Sequence, residues 1–229
     1  MGVSPVKKED TMKRAYWIGF NLLALVIFGE LVWRLVFRPE TPEFNDPLFM
    51  AAGLWAIRFV LISLAITPLN SLFRLRWAIP YRKAAGLWSY AFGLLHVTIY
   101  VMDEGSDFKW AWLIEVPYLG LGVITISILS LLAFTSYRQA MQRLGKWWKR
   151  LHRLVYFACM TAVFHALLAL QSSKTGFVNP GLIPEVQFYL SIAVLLLLLR
   201  VAFIKNAVLQ SIQGLHRRLL PLRGSSLPS

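Results

Sequence analysis

Apolar residues in this chain run on without a regular polar face. Six runs, each about 17 to 20 residues and nearly free of charge, lie at Trp17–Val36, Met50–Leu69, Ala84–Met102, Tyr118–Phe134, Leu151–Leu170 and Val186–Ile204. An amphipathic stripe would predict helices with one wet face. Unbroken runs of this length predict helices that cross a bilayer, whose hydrocarbon core is about 30 Å deep. Lipid offers no partner to backbone N–H and C=O groups, so such runs must satisfy them internally, as helices do. The expected fold is therefore all-α: a polytopic bundle of six transmembrane helices. The division expected along the chain is a tail over 1–16, a membrane domain over 17–204 and a basic tail over 205–229. No internal repeat is evident, and no segment is long and polar enough to make a separate soluble domain.

Composition agrees with the pattern. The 229 residues are 57% hydrophobic with mean hydropathy +0.57, above ordinary soluble domains. The net charge of +13 would suggest nucleic acid on a soluble protein. Here the charges sit between apolar runs, so topology explains them and no nucleic-acid partner is expected. Nineteen of the twenty-four Lys and Arg fall in four places: the N-terminal segment, the second-to-third loop, the fourth-to-fifth loop and the C-terminal end. Of the other three connections, "RPETPEFNDP" and "DEGSDFKWAWLIE" are acidic, and "QSSKTGFVNPGLIPE" carries one Lys and one Glu. By the positive-inside rule both termini are cytoplasmic. The first run follows basic residues as a signal peptide would, but no small-residue cleavage site follows it, so it is expected to be a retained helix. Cys159 is the single cysteine and lies within an apolar run, so it forms no intramolecular disulfide.

Orientation gives each membrane histidine a depth. His96 lies about 18 Å into the third run, which starts at the cytoplasmic side. His152 stands at the cytoplasmic mouth of the fifth run, and His165, thirteen residues on, is about 20 Å further out. His96 and His165 thus share a depth on different helices, as two axial ligands of one haem iron must. No carboxylate or thiol lies at that depth to complete a zinc or copper shell. His152 invites a second, inner haem, but the position opposite it on the third run is Arg82. Thirteen residues also leave His152 and His165 well over 90° apart on an ideal helix, so a bulge or tilt would be needed for both to face one bundle interior. His216 lies on the basic tail and is expected to be solvated.

Three charges lie in or near the first two runs. Glu30 and Arg34, four apart, fit an ion pair. Arg58 sits within the second run. The alternatives are ion pairing among the three, or a haem propionate or quinol site at Arg58 with Glu30 as proton acceptor. Trp33, Trp55, Trp77, Trp88, Trp110, Trp112, Trp147 and Trp148 are expected mostly at run ends, as an interfacial belt.

At "ITPLNSLFRLRWAIPYRKAAGLWSYAFGLLHVTIY", "VPYLGLG" and "LLAFTSYRQAMQRLGKWWKRLHRLVYFACMTAVFHALL" the chain resembles the MsrQ (YedZ) family. These stretches cover the third to fifth runs and the end of the second. The family comprises haem-binding membrane subunits of bacterial MsrPQ protein-methionine-sulfoxide reductase systems. It falls within the ferric-reductase-like transmembrane group, where two histidines on each of two helices hold two stacked haems. Arg82 departs from that pattern, standing where the fourth histidine would fall. The resemblance implies noncovalent haem b, one with a second left open, and FMN, for which no residue pattern identifies a pocket. The Arg138–Arg153 cluster reads as topogenic, with an FMN phosphate site as the alternative.

It also implies a location in the bacterial inner membrane and electron flow from quinol or a cytoplasmic flavin reductase to a periplasmic MsrP-like molybdopterin reductase. The chain would then be a redox subunit rather than the catalytic one. Two rivals are a stand-alone ferric or quinone reductase-type cytochrome b and a transporter.

Overall fold

The computed structural model describes residues 5–37, 47–104, 111–171, 180–201, 206, 208–211 and 213–214. Among them every regular element is helical: α1 (Pro5–Phe37), α2 (Pro47–Phe73), α3 (Ile79–Glu104), α4 (Trp112–Glu115), α5 (Pro117–Phe134), α6 (Arg138–Leu144), α7 (Lys146–Leu151), α8 (Leu154–Gln171) and α9 (Ile183–Leu198). Leucines and aromatics stay exposed on the flanks of α1, α5, α8 and α9, among them Leu23, Val26, Phe134, Phe157, Phe188 and Leu195. Helices apolar on their outward faces suit a lipid surround. The chain is a multi-pass helical membrane protein.

The antiparallel pairs α2–α3 and α5–α8 meet side by side, α2 against α8 and α3 against α5, as a four-helix bundle. Outside it, α1 lies on α2 and α3, and α9 lies on α2 and α8. Two cores result. Ala24, Leu31, Ala52, Phe59, Ala85 and Phe92 join α1 to α2 and α3. Val60, Leu64, Cys159, Val163, Val186 and Ala193 join α2, α8 and α9. Cys159 is a buried free thiol used as a small apolar filler.

Several boundaries differ from the sequence reading. Helix α1 starts at Pro5, so much of the expected tail over 1–16 is helical. Among the described residues, five helices are long and apolar enough to cross a membrane. The sixth, expected over Val186–Ile204, is α9, whose 16 described residues rise about 24 Å. It begins three residues early because Pro184 fits a first helical turn, where a missing N–H costs nothing. The fifth run is broken at His152 and Arg153, where the N–H of Arg153 bonds to Arg150 O at 3.2 Å and that of Tyr156 to Arg153 O at 3.1 Å. These are the tighter i to i+3 bonds of a 3₁₀ turn. The extra rotation per residue narrows the angular mismatch between His152 and His165.

The expected tryptophan belt is only partial. Trp33, Trp77 and Trp147 are exposed. Trp55 and Trp88 instead stack with Phe28, Phe59 and Phe92 between α1, α2 and α3, and Trp88 Nε1 donates to Asn21 Oδ1 at 3.1 Å. An indole buried with its N–H satisfied packs as well as it anchors. Trp110 lies outside the described residues, as do the basic tail from residue 215 and His216.

Pro68 sits inside α2 and leaves the Leu64 carbonyl without its usual intrahelical donor. Arg200, just past α9, reaches that carbonyl with its guanidinium at 3.4 Å and lies over the Tyr156 ring. A defect in one helix is thus met from another.

Candidate functional site

His96 and His165, both half-buried, lie between the two helix pairs. His96 stands on α3 with its ring against Gly53 of α2; His165 stands on α8 with its ring against Gly122 of α5. An added Cβ would come within 3.1 Å of the His96 ring at Gly53 and 3.0 Å of the His165 ring at Gly122. Only glycine lets the backbone approach an imidazole this closely.

One turn before each glycine, a backbone carbonyl meets the same ring. His96 Nδ1 lies 3.1 Å from Phe49 O, and His165 Nδ1 lies 2.6 Å from Tyr118 O. A carbonyl only accepts, so Nδ1 must carry the proton in both rings. Neutral imidazole with Nδ1–H presents an unprotonated Nε2, the form that ligates a metal. Phe49 also stacks on the His96 ring at 4.1 Å.

The two rings face one another with centroids 6.0 Å apart and planes at 85°. Two metal–imidazole bonds of about 2 Å, with half a ring at each end, span roughly that distance. Separation and tautomer both fit two axial ligands of one iron. No group of three or more His, Cys, Asp or Glu that could hold a metal occurs among the described residues. An iron here therefore needs its other ligands from a macrocycle, as haem provides.

Below this layer the same two helix pairs repeat the design with different side chains. Midway, Ser89 Oγ donates to Ala56 O at 2.8 Å, and Thr125 Oγ1 donates to Thr161 Oγ1 at 2.8 Å. At the arginine-rich end, Arg82 bonds Thr67 at 3.2 Å and His152 Nε2 lies 3.5 Å from Ser136 Oγ. The Ser136 proton is committed to Leu132 O at 2.6 Å. His152 Nδ1 meets Trp148 O at 3.2 Å, and the ring stacks on Trp148 at 4.1 Å. Its Nδ1 thus faces a carbonyl, as in the other pair, and the ring also meets the Leu132 carbonyl. Arg82 is within electrostatic range of His152.

The remaining charges separate. Glu30 and Arg34 pair at 2.8 Å on an exposed face of α1. Arg58 does not join them. Its guanidinium bonds Glu185 at 2.6 Å and Tyr189 Oη at 2.7 Å, both on α9, and lies 4.6 Å over Trp55. Tyr189 also donates to Glu185. Arg58 and Glu30, considered together from sequence as one site, are not brought together. Glu185, expected in the connection before the sixth run, stands on α9 instead and is the partner of Arg58. Gly53, Gly122 and their carbonyls were not foreseen from the sequence. One signal was available: His96 follows Phe49 by 47 residues and His165 follows Tyr118 by 47 residues.

Comparison with known proteins extends the picture. The family profile described as "Ferric reductase like transmembrane component" matches residues 52–163, from the start of the Gly53 contact to two residues short of His165. The chain is 38% identical over 153 residues to the protein-methionine-sulfoxide reductase heme-binding subunit MsrQ of Agrobacterium fabrum (strain C58), covering 63% of this chain and 64% of that protein. It is 30% identical over 171 residues to the same-named protein of Brucella anthropi and 33% over 173 residues to that of Brucella ovis, each covering 72% of this chain and 77% of the relative. The chain belongs to the MsrQ family. The matched region contains the middle and inner layers of polar contacts and stops short of His165.

Proposed function

We propose that the chain is a haem b electron-transfer subunit of a protein-methionine-sulfoxide reductase system in a bacterial inner membrane. The observation that carries this is the His96–His165 pair: 6.0 Å apart, and each fixed by a carbonyl in the tautomer that leaves Nε2 free. The names of the similar proteins, heme-binding subunits of such a reductase, support it. Bound haem would supply reversible one-electron chemistry. The chain's own residues hold the ligand nitrogens in place, keep water from them with the apolar faces of α2, α3, α5 and α8, and fix the depth at which electrons stop.

On this reading the His96 end faces the periplasm and the arginine-rich end the cytoplasm. Electrons enter from quinol or a cytoplasmic reduced flavin and leave to a periplasmic MsrP-like molybdopterin reductase docked at the acidic end. His152, with Arg82 across from it, marks an inner haem site at the point of entry. FMN belongs to the same entry side, and the Arg138–Arg153 segment carried by α6 and α7 is the candidate for its phosphate. The chain is then the redox subunit and breaks no substrate bond in the sulfoxide.

A reduced-minus-oxidised spectrum of the purified protein separates this reading from a transporter; the proposal expects a haem α-band, and a protein without one overturns it. Reduction of a co-expressed periplasmic partner separates it from a stand-alone ferric or quinone reductase. The proposal expects partner reduction to need this chain.

A further inference from the structure

We infer that Gly53 and Gly122 are positioning residues that set the planes of the two axial imidazoles nearly perpendicular. The inference rests on the bis-histidine reading above. Each helix pair contributes the same unit: a carbonyl that binds Nδ1, a glycine one turn later on which the ring lies, and a histidine 47 residues after the carbonyl. The unit appears once in α2–α3 and once in α5–α8. At the inner end the hairpins correspond only in part: Thr67 and Ser136 each stand 18 residues beyond their carbonyl, with Arg82 15 residues and His152 16 residues after them. The chain thus builds its site from two hairpins of matched register, each holding one ring.

In each hairpin the ring is held at two points. The carbonyl fixes Nδ1, and the glycine backbone supports the ring beside it. Carbonyl and glycine lie on one helix face a turn apart, so they act on the ring together. A Cβ at 3.0–3.1 Å from ring atoms stands inside the van der Waals separation of about 3.5–4 Å. Alanine therefore forces the ring to rotate or retreat, and retreat strains the bond to the carbonyl. The planes stand at 85°, close to the maximum of a right angle. Rotation of either ring by more than a few degrees therefore lowers that angle. Perpendicular imidazoles leave the two iron d orbitals that accept their π density nearly equal in energy. A ferric low-spin centre then shows strongly anisotropic electron paramagnetic resonance, with one g value far to low field. Rotation toward parallel splits those orbitals and brings that g value back.

The test uses the full-length, haem-loaded protein in detergent. Gly53→Ala and Gly122→Ala are compared with wild type and with Gly93→Ala. Gly93 is comparably crowded, with a Cβ 3.3 Å from Ile126 Cδ1, but touches no histidine. The readouts are haem content, the low-field g value and the midpoint potential. The inference expects a strongly anisotropic signal in wild type and in Gly93→Ala. In the two ring-seat variants it expects a lowered low-field g value and a shifted potential, or loss of haem where Gly93→Ala keeps it. Wild-type signal and potential in either ring-seat variant would overturn it, as would equal changes in all three. Absence of any low-spin bis-histidine signal from wild type would instead overturn the underlying haem reading.

Discussion

A histidine in lipid is costly unless its polar nitrogens are used. His96 and His165 each spend Nδ1 on a carbonyl and leave Nε2 uncommitted, whereas His152 Nε2 lies 3.5 Å from Ser136 Oγ. The depth match of His96 and His165 was legible because depth along a helix follows from residue count alone. The glycine seats were not, because they depend on which faces of two different helices meet. Arg58 illustrates the same limit: its charge was visible, but its partners on α9 required the fold. For Arg58 the account expects Arg58→Met or Glu185→Gln to cost about 2 kcal/mol, since each leaves a charged, hydrogen-bonded group without its partner. Thermal denaturation in detergent would read this as a lowered midpoint with haem content retained. For His152 it expects His152→Ala to lower the haem-to-protein ratio while the His96–His165 signal persists; an unchanged ratio would remove the inner site.

Among the elements, α2 does the most. It supplies Gly53 to His96, Arg58 to α9, Thr67 to Arg82 and packing to both cores. Its Pro68 would weaken it were the Leu64 carbonyl not met by Arg200. That pairing predicts coupling. Arg200→Met should cost about 1 kcal/mol in the wild-type background and close to nothing beside Pro68→Ala, which restores an intrahelical donor to Leu64. Additive effects in such a cycle would separate Arg200 from the proline. Helix existence was well read from apolar run length, whereas helix ends were not. Polar or proline-bearing flanks still pay into a continuing helix when nothing stops it, so α1 starts at Pro5 and α9 takes in Pro184 and Glu185. The break at His152 was also beyond periodicity, which names a phase conflict without saying how the backbone resolves it.

For the whole molecule, two hairpins that share their register at the histidine layer form one ladder of polar layers inside an otherwise apolar bundle. No repeat is visible in the sequence because the correspondence holds at few positions and not in residue type: Phe49 answers Tyr118 and Thr67 answers Ser136, both 69 residues on, whereas Arg82 and His152 stand 70 apart. Filling the odd position should therefore change the ligand set. Arg82→His is expected to bring a second bis-histidine spectrum, read as an added low-spin component in ferric protein; no new component would mean that the two hairpins are not equivalent at the inner end. The central claim is narrower, that α3 and α8 share one haem between His96 and His165. Haem quantification with axial-ligand spectroscopy on wild type, His96→Ala and His165→Ala tests it most directly. The account predicts that both variants lose the same haem, with matching difference spectra. Loss of different haems, or no loss in either, would contradict it.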